Sequence, residues 1–172
     1  AIIILTDREA GRTTVPMPAL LAVAAVHHHL IARGKRQLAG LVVETGEARE
    51  VMHFAALIGY GASAVNPYLA FETIADLKHK GFLGTGPSLE DAVEAYIVAC
   101  KKGLLKIMSK MGVSTIRSYR GAQIFEAVGL AEEFVHRYFP GTASRIGGIG
   151  AAEVFSEARS RHRSAFEDKD HH

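Results

Sequence analysis

GLVVETGEAREVMHFAALIGYGASAVN, Gly40 to Asn66, is the stretch whose reading decides the fold. Gly40 to Glu44 is a compact β-branched run. From Glu47 to Ile58, helical spacing brings Ala48, Val51, Met52, Ala55 and Ile58 onto one stripe and leaves Glu47, Arg49, Glu50 and His53 elsewhere. Ser63 to Asn66 is a second short apolar run. Strand, helix against the sheet, strand: this is the pattern of a parallel sheet carrying helices on its faces, an α/β fold.

The alternation continues on both sides. Ile2 to Thr6 and Gln123 to Val128 are the other strand candidates, and none of the four runs alternates strictly, as expected for strands covered on both faces. Pro16 and Pro18 suit the start of a helix that Gly34 would stop. Lys80 to Ser88, with three glycines and a proline, is the clearest linker, and Ser88 with Asp91 forms a capping box for a helix running to about Met111. Its stripe is Leu89, Val93, Tyr96, Ile97, Cys100, Leu104, Ile107 and Met111, opposite a basic row of Lys102, Lys106 and Lys110. Gly103 is a weak point costing about 1 kcal/mol against alanine, and a hinge is expected there. Further helices are expected from near Ala131 to before Pro140 and from Ala151 onward. The chain thus reads as one α/β domain over residues 1–166 and a charged tail over 167–172. With four strands, the outer edges carry unpaired backbone groups, so self-association of the isolated chain is expected.

Composition bounds the function. At 172 residues, 48% hydrophobic and 22% charged, the chain can bury a continuous core, and a net charge of +2 without a long basic run points to no nucleic-acid partner. Cys100 stands alone, which excludes an intramolecular disulfide and a cysteine-held cluster within this sequence; on its apolar stripe it reads as a buried, inert thiol. AIIIL at the start is too short to span a bilayer and lacks the basic opening of a signal peptide, so no membrane partner and a cytoplasmic setting are expected. Ala1 opens directly on a strand-like run, which suggests a piece of a larger protein.

Asp7, Arg8, Glu44, Thr45, Asn66 and Tyr68 all close or follow expected strands. That places them on the carboxyl-end rim of the sheet, where α/β folds bind ligands; they read as solvated loop ends, as a ligand site or as contacts to neighbouring domains. His27, His28 and His29 point about 100 degrees apart on a helix and cannot converge on one metal ion; His27 falls on the apolar stripe and reads as a packed histidine. Ser118, Tyr119 and Arg120 offer a hydroxyl, a phenol and a guanidinium to a small anion, without the partners of a serine triad. Arg145, Gly147, Gly148 and Gly150 open a helix and read as a tight turn or a phosphate-holding one, though the spacing of a phosphate loop is absent. His171 and His172 read as a natural end or as added sequence.

GLLKIMSKMGVSTIRSYRGAQIFE at Gly103 to Glu126, LAVAAVHHHLI at Leu21 to Ile31, the run from Val42 to Ile74, and RIGGIG at Arg145 to Gly150 together resemble the central domain of the glutamate synthase large subunit, in that family's order, with residues 1–166 as the C-terminal part of that domain. ETGEAREVMHFAALIGYGASAV is also similar to the strand, helix and strand near the phosphate end of flavin-binding barrels, which implies a partial-barrel βα repeat architecture. The resemblance implies a central scaffold between a glutamine amidotransferase domain and an FMN-binding synthase domain with an iron-sulfur cluster, in an enzyme that makes glutamate from glutamine and 2-oxoglutarate through an ammonia tunnel. It implies no cofactor and no catalytic residue in this chain, because the nucleophilic cysteine, the cysteine cluster and the flavin segments have no counterpart in the sequence. The six rim residues are then expected to face neighbouring domains or the tunnel. The alternatives are a free-standing flavin- or phosphate-binding half barrel, using the turns at Gly59 to Asn66 and Arg145 to Gly150, and a purely structural interaction module.

Overall fold

The computed structural model describes residues 1–167. The expected tail lies outside the described residues except for Glu167, as do His171 and His172. In chain order the elements are β1 (Ile2–Thr6), α1 (Ala19–Ala32), β2 (Gly40–Glu44), α2 (Val51–Gly59), β3 (Ala64–Asn66), α3 (Tyr68–His79), α4 (Leu89–Lys110), α5 (Ile116–Tyr119), β4 (Glu126–Leu130), α6 (Glu132–Tyr138), β5 (Ala143–Ile149) and α7 (Ala151–Phe166), with a 3-10 turn at Arg36–Leu38.

β1, β2 and β3 pair in that order, all parallel, from Ile2 opposite Gly40 to Thr6 opposite Glu44 and from Val42 opposite Ala64 to Glu44 opposite Asn66. This is the α/β arrangement expected, with α1 and α2 as the crossovers. Leu41 and Val43 of β2 are buried against Leu21, Val23 and Ala24 of α1 and Phe54 and Leu57 of α2. Burying such side chains is what holds the layers together, at about 25 cal/mol per Å² of apolar surface. The opposite parity is different: Ile2 is 73% exposed and Ile4 62%. The expectation that both faces are covered is therefore corrected, because an uncharged apolar run looks the same whether one of its faces is packed or both are.

The fourth expected strand does not join this sheet. β4 pairs instead with β5 in a separate parallel two-stranded sheet, and among the described residues the strands form no closed barrel. The cause is local: the amides of Gly121 and Gln123 donate to the last carbonyls of α2, Ile58 and Gly59, at 3.1 and 3.0 Å. Gln123 sits at φ 52°, a left-handed conformation no strand adopts, so the strand begins only at Glu126. β5 occupies the segment expected as a helix-opening turn; Arg145, Gly147 and Gly148 are strand residues, and Gly150 alone stands at the start of α7. Phe134, Val135 and Phe139 nevertheless share one core with Leu41 and Val43, so the two sheets rest on continuous apolar packing.

α4 is capped as expected, with the Asp91 amide donating to Ser88 Oγ and the Ser88 amide to Asp91 Oδ2, both at 3.0 Å. Lys102, Lys106 and Lys110 are exposed. The expected apolar stripe is only half-buried, however, and Leu89 and Met111 are exposed; Met108 is the buried residue of the helix. On α2, Met52 of the expected stripe is exposed, and Phe54 and Leu57 are buried instead. Gly103 lies inside a continuous helix, where a Cβ would come within 2.5 Å of Val51 Cγ2. The expected hinge is thus the closest approach of α4 to α2.

The amino end of the sheet is tied by a half-buried cation. Arg36 Nε donates to His27 Nδ1 at 2.8 Å, and its two terminal nitrogens donate to the carbonyls of Ala39, just before β2, and Gly61, in the turn between α2 and β3, at 2.8 and 2.6 Å. His27 is 7% exposed. A histidine accepting at Nδ1 beside a guanidinium must be neutral, and burial, Arg36 and His28 lower its pKa from 6.5 to about 4. Burial lowers His28 as well, and its Nε2 lies 2.8 Å from Gln123 Nε2, linking α1 to the segment that enters the second sheet.

Gly103→Ala is expected to lower stability by about 1–3 kcal/mol through overpacking against Val51, measured by urea midpoint; a gain of about 1 kcal/mol, as at an exposed helix glycine, would show that the helices are not in contact there. His27 binds a proton below about pH 6.5 when unfolded but only near pH 4 when folded. Its contribution is complete above the first value and is lost as pH falls toward the second, amounting to about 1–2 kcal/mol after allowance for partial solvent screening. Unfolding free energies between pH 7 and 4 should fall less steeply for His27→Gln than for the unmodified chain; parallel curves would contradict the neutral buried state.

Candidate functional site

Parallel pairing puts the ends of β1, β2 and β3 side by side, and the residues that close them meet there. Glu44, the last residue of β2, accepts from Thr6 Oγ1 at 2.8 Å, Arg8 Nε at 2.8 Å and Asn66 Nδ2 at 3.0 Å. One carboxylate thereby joins the carboxyl ends of all three strands. Arg8 continues to Glu72 of α3 at 3.3 Å and lies over the Tyr68 ring, 4.2 Å from its centroid. A second knot forms beside it: Thr45 Oγ1 donates to Asp7 Oδ2 at 2.5 Å, the Gly46 amide donates to both Asp7 oxygens, and Thr45 Oγ1 accepts from the Glu47 amide at 3.1 Å. Glu47 in turn accepts from the Ala19 amide at 2.7 Å and so caps α1, which carries no cap of its own.

All six sequence-predicted rim residues are thus in one network. Thr6, Glu47 and Glu72 belong to it too and were not singled out from sequence. Thr6 carried the same strand-end signal as Glu44; Glu72 sits on α3, a helix absent from the sequence reading. Below the network lies a cleft of about 490 Å³ lined by Ile4, Thr6, Thr14, Pro16, Met17 and Ala22 among others.

The electrostatics limit the chemistry. Hydrogen bonds from Arg8 and Thr6 hold Glu44 below the usual carboxylate range, and Glu44 raises Arg8 in return. Burial, with Asp7 beside the hydroxyl, pushes Tyr68 up to about 12. Each of these groups is fixed in its ordinary charge state at neutral pH, whereas a general acid or base works best with a pKa near the operating pH. The arrangement makes a rigid polar wall with its charges already paired.

The other candidates resolve differently. Tyr119 is fully buried, donating its hydroxyl to the Ala55 carbonyl at 3.0 Å, so it is a core residue and not an anion ligand. A Cβ on Gly59 would meet the Phe125 ring at 2.6 Å and one on Gly61 the His27 ring at 2.2 Å; these glycines make room for the chain's own side chains, not for a phosphate. Cys100 is half-buried, and burial raises its thiol. Among the described residues no group of His, Cys, Asp and Glu is placed to hold a metal ion, and no helix is long and apolar enough to cross a membrane.

Residues 1–131 match the family model of the glutamate synthase central domain. The chain is 51% identical over 168 residues to the NADPH glutamate synthase large chain of Bacillus subtilis, covering 98% of this chain and 11% of that one. It is 44% identical over 171 residues to the NADH glutamate synthase of Saccharomyces cerevisiae, covering 96% and 8%, and 46% identical over 177 residues to the ferredoxin-dependent glutamate synthase of Pyropia yezoensis, covering 97% and 12%. The chain spans about a tenth of the length of these curated relatives.

Thr45 is 1% exposed, and its hydroxyl both donates and accepts. Thr45→Val keeps the shape and removes both bonds, with an expected loss of about 1–3 kcal/mol by thermal or urea unfolding. An unchanged midpoint would mean that the second knot does not hold the rim.

Proposed function

The chain belongs to the glutamate synthase central-domain family, and from that premise we propose that it is a non-catalytic scaffold joining a glutamine amidotransferase domain to an FMN-binding synthase domain of its parent chain. The parent enzyme makes glutamate from glutamine and 2-oxoglutarate, with FMN and the iron-sulfur cluster held outside this segment, and the rim at Asp7, Arg8, Glu44, Thr45, Asn66 and Tyr68 lines or gates the ammonia path. The observation that carries this reading is the rim itself, a network of paired charges beside an open cleft, with Glu44, Arg8 and Tyr68 each shifted away from neutral pH. Such a wall can guide a small neutral molecule without protonating it. The relatives support a shared step: the three are named for three different electron donors, yet this segment is similar in each.

The test uses the full-length parent chain. Met17 lines the cleft and is 53% exposed, so Met17→Trp narrows the cleft without disturbing the core. Asn66→Gln adds bulk at the rim and keeps the amide that Glu44 accepts. For both, glutamine consumed per glutamate formed should rise above the unmodified value. If that ratio and both rates stay unchanged in each variant, the rim is not on the ammonia path and the segment is a structural module only.

A further inference from the structure

Parallel sheets are found with both faces covered, because their apolar side chains point to both. Here α1 and α2 cover one face of the β1-β2-β3 sheet. On the other, Ile2 and Ile4 are 73% and 62% exposed, Ala64 is exposed and Val42 half-buried, a surface with no charged side chain until Glu44 closes its end. Among the described residues β1 is also an edge strand, paired to β2 alone, and its sequence IIILT contains neither a charged residue nor a proline, the kinds that guard an open edge. A bare apolar face beside an unguarded edge marks a surface that is covered when the protein works.

The relatives indicate what covers it. This segment is 8 to 12% of their length, so most of the polypeptide lies outside it. A segment on the same chain is presented to the face at a high effective concentration, on the order of millimolar for a short tether, whereas a second copy must be captured from dilute solution. We infer that the open face of the β1-β2-β3 sheet, together with the free edge of β1, docks an apolar strand-bearing segment of the parent chain from outside these 172 residues. The proposal rests on membership of the family and not on the ammonia path; Ile4 also lines the cleft beside the rim, whereas Ile2 does not, so protection of Ile2 reads docking separately from the rim.

Hydroxyl-radical footprinting of the unmodified full-length parent chain and of the 172-residue chain at submicromolar concentration compares the oxidation of Ile2 and Ile4 directly. In the parent chain both should react more slowly by a factor on the order of ten, as expected for side chains in a packed interface. Equal rates in the two proteins would overturn the proposal. p-Benzoylphenylalanine placed at Ile4 of the parent chain then identifies the occupant, in a mixture of isotopically light and heavy protein. Crosslinks within one chain, to a peptide outside the segment, support the inference. Light-to-heavy crosslinks between two copies of this sheet, or no crosslink at all, overturn it.

Discussion

The Glu44 carboxylate is the interaction on which the carboxyl end of the sheet depends. Three parallel strands end side by side there, with backbone groups and side chains that no further pairing can satisfy. Glu44 receives Thr6 from β1, Arg8 just beyond it, and Asn66 from β3, and Arg8 carries the connection on to α3 through Glu72 and Tyr68. A carboxylate with several charge-assisted donors is favoured in its ionised form. The same bonds that fix the strand ends therefore fix the charge, and a rim so fixed holds its shape but does not exchange protons.

The amino end of the sheet is organised on the opposite principle. Arg36 is satisfied there by two carbonyls and a neutral imidazole. His27 stays uncharged because it accepts from that guanidinium while buried. One end is thus held by paired charges and the other by a cation among neutral acceptors. Between them the core runs from α1 through Leu41 and Val43 to Phe134 and Phe139, which lets a three-stranded and a two-stranded sheet behave as one packed unit although their strands do not pair.

Much of this was legible in the sequence, and the misses have physical causes. β1 and β2 fall where the apolar runs placed them, and Asp7, Arg8, Glu44, Thr45, Asn66 and Tyr68, named because they close or follow strands, meet at the end of the sheet. α3 escaped because its only buried residue is Ala70, which leaves little apolar periodicity to read. β5 escaped because a glycine-rich run exposed along its whole length carries no burial pattern. The bare face of β1 could not be seen at all: Ile2 and Ile4 are the same residues whether a partner covers them or solvent does. From sequence Gly103 looks like a flaw in α4, because its reason, Val51, lies on another helix.

Glu44 is locked in its ionised form by the strand ends it joins. Titrating its side-chain carboxyl carbon by NMR in selectively labelled protein tests this directly, in the unmodified chain and in Arg8→Gln. The midpoint is expected below the ordinary 4.5 in the unmodified chain, moving upward when Arg8 is replaced. A midpoint at or above 4.5 in the unmodified chain, insensitive to that replacement, would contradict it.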